Sequence, residues 1–316
     1  MTLRNSLFAV SGKASFLDAR RDMSGLFVCD KTTMMPIAGI LDRSQDNLVT
    51  GNSDSMSVTV HPFNAVLNRY GALLIQNDGN VKVPLAASPS ANSRIDVVYV
   101  KQNEERSPMS DSSDVPEFGV AKGVAAATPV APGVPDGALA LAQVLLPAGV
   151  SNTAAAGVVI TQTYVGAAMK GDMLLVQNSE QRDAMTMVPE GTLLHNVADD
   201  CDYVRKGEGW RGWGMPRRDI HLGSHKVYMW ASNGVGYVNL RTENANLTGW
   251  GSNVAVGRVN NSAFYPTADE GCFAPSRDGY LPTAASVMTN GTVKVEYAGG
   301  QSGNRVVSTI ISYPIG

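Results

Sequence analysis

The sequence is poor in charge and contains no long hydrophobic run. Charged residues make up 17% of its 316 residues, fewer than helical domains usually carry. The formal net charge is -3 and no run of Lys and Arg appears, so a nucleic-acid partner is not expected. A membrane span would need about 18 consecutive apolar residues, and a signal peptide a longer apolar centre than the N-terminal segment offers. We therefore expect neither membrane insertion nor a secretory route.

Cysteine is also scarce. Cys29, Cys201 and Cys272 are far apart and odd in number, which indicates neither a disulfide framework nor a Cys-x-x-Cys metal clip. Synthesis in a reducing cytoplasm is the simplest explanation.

Glycine and proline, in contrast, are plentiful, with 32 and 16 residues, and they separate short runs that alternate between apolar and polar residues. This pattern is typical of strands and turns. The segment "GALALAQVLLPAG" contains good helix formers, but Leu139, Leu141 and Leu145 fall on one side of a strand and prolines crowd its front, so we predict a buried strand. The segment Asn-Asp-Gly-Asn at 77–80 lies between two other runs and predicts a tight hairpin turn.

The pattern as a whole predicts a mainly β chain in three segments. Residues 1–165 are expected to form an N-terminal β-sandwich or barrel-like domain. Residues 166–219 are expected to form a small connector, in which a short helix with Ser179 as its N-cap precedes a β-meander. Residues 220–316 are expected to form an antiparallel β-sandwich or a jelly-roll-like domain.

The stretch "ANSRIDVVYV" at 91–100 places two opposite charges at the head of an apolar strand. Arg94 and Asp96 are two residues apart and so share one face of that strand. We predict that they pair with each other or with loop backbone at the rim of the sheet, where such a pair adds little to stability.

One apparent nucleotide-binding motif is better explained as a turn. Gly207, Gly209 and Gly212 match Gly-x-Gly-x-x-Gly, but no helix pattern follows them and no acidic residue lies at the distance that the dinucleotide fold requires. We predict a hairpin turn here, with Trp210 and Trp213 as core aromatics.

Two further clusters resemble metal sites only superficially. His221 and His225 are four residues apart, but Gly223 and the following strand pattern argue against a shared helix face, so we predict surface histidines. The acids Asp199, Asp200 and Asp202 lack the alternation and the glycine of a calcium loop, so a solvated turn is predicted. No catalytic, metal-binding or cofactor-binding residue is predicted.

The last hundred residues are rich in aromatic side chains, which in a small β-domain occupy core, rim or a sugar-binding surface. The aromatic residues considered are Tyr228, Trp230, Tyr237, Trp250, Tyr265 and Tyr280. Trp250 in "LTGWGSN" and Tyr280 in "RDGYLPT" lie in turn-like segments. We predict that these two are exposed and are the residues that contact glycan.

Several segments within residues 20–165, approximately, resemble a known family of proteins. The segments "NSRIDVVYV", "PGVPDGALALAQVLLPAG" and "AAGVVITQT", in this order, resemble the N-terminal domain of minor tail proteins and tail-tip fibres of siphophages that infect actinobacteria. The segment "SEQRDAM" together with "PEGTLLHNVADDCDYVRKGEGWRGW" resembles the small connector that often follows in phage tail proteins. No such resemblance covers residues 220–316.

The resemblance implies a non-enzymatic structural protein of the virion, assembled in the host cytoplasm. It implies attachment to other tail or baseplate proteins through the N-terminal domain and a homotrimer as the assembly. For the final domain, which the resemblance does not cover, we predict contact with the host cell surface, with cell-wall glycan as the ligand class of Trp250 and Tyr280. No cofactor is implied.

Two other interpretations of the final domain stay open. In the first, it is a purely architectural cap that binds another tail protein. In the other it is a carbohydrate-active hydrolase with carboxylates among Asp269, Glu270 and Asp278, although the chain lacks the repeats typical of tail-associated depolymerases.

Overall fold

The computed structural model describes residues 15–41, 47–277 and 279–316. The described chain is mainly β, built from short antiparallel strands and few helical segments, which confirms the predicted fold class. None of the helices in these ranges combines the length and the apolar character that crossing a bilayer requires. The chain divides into two compact units, unit 1 (Met1–Gln181 and Met187–Thr192) and unit 2 (Arg182–Thr186 and Leu193–Gly316).

Unit 1 contains one helix and eleven strands. The helix is α1 (Phe16–Ser24), and the strands are β1 (Gly39–Ile40), β2 (Val49–Gly51), β3 (Ser57–Val60), β4 (Phe63–Asn68), β5 (Ala72–Asn77), β6 (Val81–Pro84), β7 (Arg94–Gln102), β8 (Pro116–Ala121), β9 (Leu139–Leu146), β10 (Val159–Gln162) and β11 (Leu174–Val176).

Ten of the eleven strands form three antiparallel sheets around one core. Their orders are β1-β4-β5, β2-β3-β6 and β10-β9-β7-β8. Buried side chains from all three sheets meet in a common cluster that includes Ile40, Val58, Leu67, Val98 and Leu141, and β8 and β10 add partly buried residues to it. The predicted strand at 139–146 is therefore confirmed as β9, with Leu139 and Leu141 in that core.

The Arg94–Asp96 pair lies inside this unit and not at its rim. Arg94 is 3% exposed and Asp96 is fully buried. Two guanidinium nitrogens donate to the carboxylate at 2.8 and 2.9 Å, and two donate to the carbonyls of Ala86 and Ala87. The Gly123 amide donates to Asp96 Oδ1 at 2.9 Å. The predicted pairing is thus correct, but its predicted solvent exposure is wrong, because the 86–87 and 123 segments cover the start of β7.

The turn at 77–80 does not close a hairpin as predicted. β5 pairs with β4, whereas β6 pairs with β3, so the turn carries the chain from one sheet to another. The Asn77 side chain donates to the carbonyls of His61 and Gly79 and fixes the turn. The composition of 77–80 correctly predicts a turn. Which strands pair on either side of it depends on packing in the core.

The N-terminal helix α1 has no counterpart among the predicted elements. Its N-cap is Ser15, whose hydroxyl accepts from the Asp18 amide while the Asp18 carboxylate accepts from the Ser15 amide. This reciprocal capping box is a helix start signal that the sequence displays. The apolar segment 25–30 that follows α1 is a turn with isolated bridges from Phe27 and Cys29.

A second helix, α2 (Ser179–Ala184), lies where a short helix was predicted. Ser179 is its first residue. The cap is the preceding Asn178, whose side-chain oxygen accepts from the Gln181 amide at 2.9 Å.

Unit 2 contains twelve strands and one 3-10 turn. They are β12 (Leu193–Asn196), β13 (Cys201–Lys206), β14 (Gly209–Asp219), β15 (Lys226–Ser232), β16 (Val235–Arg241), β17 (Ala245–Leu247), β18 (Asn253–Arg258), η1 (Ser262–Phe264), β19 (Glu270–Phe273), β20 (Thr283–Val287), β21 (Thr292–Tyr297), β22 (Gly303–Arg305) and β23 (Ser308–Pro314).

Within unit 2, six strands are hydrogen-bonded in the order β12-β13-β14-β15-β16-β23, and four form a second sheet in the order β18-β21-β20-β19. The strands β17 and β22 pair with each other. Alternate side chains of both larger sheets are fully buried, among them Met229, Val238, Ala285 and Val295. This period-two burial is the pattern of a sandwich, in which each sheet covers the inner face of the other.

The two units divide the chain differently from the three predicted segments. The predicted meander is present as β12, β13 and β14, but β14 also pairs with β15. The strands of the predicted connector and those of the final segment therefore share one sheet, and no break occurs at residue 219.

Removing the Asp96 carboxylate is expected to destabilise unit 1 strongly, because Arg94 would stay buried without its counter-ion. We expect Asp96→Ala to lower the free energy of unfolding by about 3–5 kcal/mol. The matched control is Asp54→Ala, whose partner Lys82 is exposed, and there we expect less than about 1 kcal/mol. Urea unfolding followed by circular dichroism measures both changes. Tryptophan fluorescence would not report on unit 1, since all four tryptophans lie in unit 2. Equal effects from the two substitutions would contradict the assignment.

Candidate functional site

Strand order brings several aromatic side chains to one end of the four-stranded sheet of unit 2. Because neighbouring strands are antiparallel, β18 and β20 begin where β21 and β19 end. The loops 248–252, 274–282 and 298–302 therefore meet at this end. We call it the aromatic end, and we define it by Trp250, Phe273, Tyr280 and Tyr297.

Three of these four rings face solvent. Trp250 is 81% exposed, Tyr280 83% and Phe273 66%. The predicted exposure of Trp250 and Tyr280 is therefore confirmed, whereas their contact with glycan stays a prediction. Exposed large apolar side chains gathered at one end of a sheet are typical of interaction surfaces.

The exposed Trp250 ring is carried by a well-fixed loop. Ser252 closes this loop, since its hydroxyl accepts from the Thr248 amide at 2.9 Å and its amide donates to the Gly249 carbonyl at 3.0 Å. The indole and the Tyr297 ring are nearly perpendicular, with ring centroids 5.6 Å apart. The backbone is held in place while most of the indole stays exposed, which is the arrangement of a preformed contact surface.

Tyr280 lies in a second fixed turn. The Ser276 amide donates to the Leu281 carbonyl at 2.9 Å and closes the segment. Tyr280 has φ 52°, in the left-handed region that bulky residues seldom adopt. Backbone held in this region by its surroundings is found often at binding sites.

The two fixed segments are linked through the loop after β21. The Ser302 hydroxyl donates to the Thr248 carbonyl at 3.0 Å, and the Ala298 amide donates to the Pro282 carbonyl at 3.3 Å. Arg305 is 1% exposed and donates to the carbonyl of Gln301 in this loop and, at 3.4 Å, to that of Gly303 at the start of β22. The guanidinium thus fixes the backbone of the loop from within.

Chemically, this surface offers flat apolar faces, and the exposed Arg277 lies in the same loop as Tyr280. Aromatic faces stack on the apolar faces of sugar rings, and the exposed phenol of Tyr280 adds a hydrogen-bonding group. Phe273 was not among the predicted ligand contacts. Its strand, β19, is only four residues long and was not predicted, so nothing in the pattern placed this side chain at the sheet end.

The Gly-x-Gly-x-x-Gly match is a hairpin turn, as predicted. β13 and β14 pair on either side of it, and Gly207 has φ 58°. Trp210 and Trp213 are half-buried and not fully enclosed in the core as predicted. Trp210 lies opposite Arg205 on the neighbouring strand, with the guanidinium carbon 5.8 Å from the ring centroid.

The two histidines of "HLGSH" occupy different environments. His221 is exposed and its Nδ1 lies 2.6 Å from Asp219. His225 is half-buried, which differs from the predicted surface position, and burial lowers the pKa of its imidazole. Across the described ranges, no three or more His, Cys, Asp or Glu side chains are grouped so that they could hold a metal ion.

The acids of "ADDCD" surround the turn between β12 and β13, as predicted, but Asp199 is not simply solvated. Its carboxylate accepts from the Tyr203 hydroxyl, and Asp202 lies 2.8 Å from His195. Burial, followed by the bond to Asp199, raises the pKa of Tyr203. These contacts stabilise the turn.

The proposed hydrolase carboxylates do not converge at the aromatic end. Asp269 and Glu270 lie at the start of β19, the opposite end of the sheet, and Asp269 accepts from the Thr289 amide at 2.7 Å. Asp278 lies outside the described residues.

No protein-family model matches the chain, and none of the curated proteins matches it in sequence. A function for this chain can therefore be inferred only from its residues and their arrangement.

Trp250 is expected to react first when the protein is treated with N-bromosuccinimide, which oxidises accessible indoles. The other three tryptophans, Trp210, Trp213 and Trp230, are half-buried. Trp250→Phe should remove the fast phase of the loss in indole absorbance and leave the slow phase unchanged. A fast phase that survives this substitution would show that another indole is more accessible.

Proposed function

We propose that this chain is a non-enzymatic structural component of a phage tail tip or tail fibre. Unit 1 attaches it to other tail or baseplate proteins, and unit 2 contacts the host cell surface. The resemblance of residues 20–165 to minor tail proteins supports the first part. A mainly β architecture with two compact units is compatible with it.

The proposal that unit 2 contacts the host cell surface is based on the aromatic end. Trp250 and Tyr280 expose their rings on loops whose backbones are fixed by hydrogen bonds. A purely architectural cap would have no need to leave these rings in water. The ligand class that fits exposed flat aromatic faces on fixed loops is the glycan of the host cell wall.

Weak contacts of this kind become effective when several copies bind together. A homotrimer would present three aromatic ends on one particle. Simultaneous binding of several ends would raise the overall affinity well above that of a single site. The trimer is proposed on the resemblance, since threefold assembly is common in such fibres.

The hydrolase and the architectural cap remain the competing functions. A hydrolase predicts release of soluble sugar from cell walls, and the cap predicts no binding to them. One experiment therefore separates all three.

We expect the full chain to co-sediment with cell-wall sacculi from at least one member of a panel of actinobacteria, without releasing soluble sugar. Trp250→Ala combined with Tyr280→Ala should weaken binding by about tenfold or more, because the sugar-facing rings are removed. The full chain is used because β14 and β15 pair across residue 219.

Tyr70→Ala is the matched control, since Tyr70 is an exposed aromatic residue, 43% exposed, in unit 1. Its binding should equal that of the unaltered chain. Sugar release would favour the hydrolase, and absence of binding to every sacculus would favour the architectural cap. Equal loss in Tyr70→Ala would show that the aromatic end has no special role.

A further inference from the structure

A groove of about 530 Å³ lies in unit 2, and none of its lining residues belongs to the aromatic end. It is bounded by the β13–β14 turn, by η1 and by Arg182 and Asp183 of α2. Its volume is within the range of about 300–1,000 Å³ that small-molecule sites occupy.

Two buried hydrogen-bond donors beside this groove lack acceptors. Arg205 is 2% exposed, and its Nη2 has no hydrogen-bond partner among the described residues. The indole Nε1 of Trp210, which lines the groove, is likewise buried and unpartnered there. The two residues are direct neighbours across β13 and β14. A buried donor without an acceptor costs free energy, most of all when it carries charge, so such a pair marks a place where an acceptor belongs.

The charge of the groove has an excess of cations. Lys206 and Arg211 line it, and Glu208 is the acid between them. Arg182 is already compensated, since its Nε lies 2.9 Å from Asp183 and its guanidinium stacks on Tyr203. The lining therefore carries three cations and two carboxylates, and Arg205, opposite Trp210 on β13, adds a fourth cation beside it.

From these observations we infer that the groove binds a small ligand of about monosaccharide size that carries an oxyanion. The oxyanion, a carboxylate or a phosphate, accepts hydrogen bonds from Arg205 and Trp210, and Lys206 and Arg211 add electrostatic attraction. Only an acceptor satisfies both unpartnered groups, because neither a guanidinium nor an indole N–H can accept.

Binding requires a small rearrangement of the groove wall, because both unpartnered nitrogens are covered in this structure. The side chains of Lys206 and Glu208 line the groove and are exposed, so this part of the wall can move without disturbing buried packing. This inference does not rest on the proposed function.

Calorimetric titration of the full chain with three probes tests it. The probes are glucuronate, glucose 1-phosphate and glucose, which share a sugar ring and differ in charge. We expect one or both anions to bind with one site per chain and glucose not to bind. Whichever anion binds more tightly identifies the ligand's anionic group as carboxylate or phosphate.

Variants assign the binding to the groove. Arg211→Ala and Trp210→Phe should each weaken anion binding on the order of tenfold, since one loses a cation and the other only the indole N–H. Arg258→Ala, at an exposed arginine of β18, is the matched control and should bind as the unaltered chain does. Arg205→Gln is included only if its circular dichroism spectrum shows that it folds.

Three results would overturn the inference: no binding of either anion, equal binding of glucose, or affinity unchanged in both Arg211→Ala and Trp210→Phe. The Trp250→Ala, Tyr280→Ala double variant should bind the anions normally. Failure of the cell-wall experiment and failure of this one are therefore distinguishable.

Discussion

The pairing of β21 with both β18 and β20 is the constraint on which the candidate surface depends. Because these strands are antiparallel, the loop before β18, the loop before β20 and the loop after β21 are forced to the same end of the sheet. Residues separated by some fifty positions in sequence, from Trp250 to Tyr297, meet there for this reason alone. Arg305 then fixes the loop between them through backbone carbonyls.

Buried arginines have three different roles in this protein. Arg94 is fully compensated, with a carboxylate and two carbonyls, and so it serves the stability of unit 1. Arg305 donates to carbonyls through Nη1 and Nη2, and it shapes a loop. Arg205 Nη2 and Arg305 Nε are each buried without an acceptor in the described chain. Only Arg205 lies opposite Trp210, which lines the groove, so its position and its unpartnered nitrogen together distinguish the cation that can bind a ligand.

Much of the secondary structure could be predicted from the sequence, because period-two alternation is a local signal. β7, β9, β15 and β16 lie where that pattern placed them, and so do the β12–β14 meander and the short helix α2. Strand partners are not local, which is why the 77–80 turn was expected to close a hairpin and instead joins two sheets. The burial of Arg94 and Asp96 also depends on distant segments that cover them. At the candidate surface, Gly-rich turns predicted the exposure of Trp250 and Tyr280, but their shared sheet end and Phe273 required the strand order.

The central claim is that this chain is part of a phage tail tip. Immunogold electron microscopy of purified tailed-phage particles, with antibodies raised against the chain, tests that claim most directly. The account predicts gold at the end of the tail and loss of the label when the antibodies are first absorbed with the purified chain. Absence of the chain from particles, or label confined to the capsid, would contradict it.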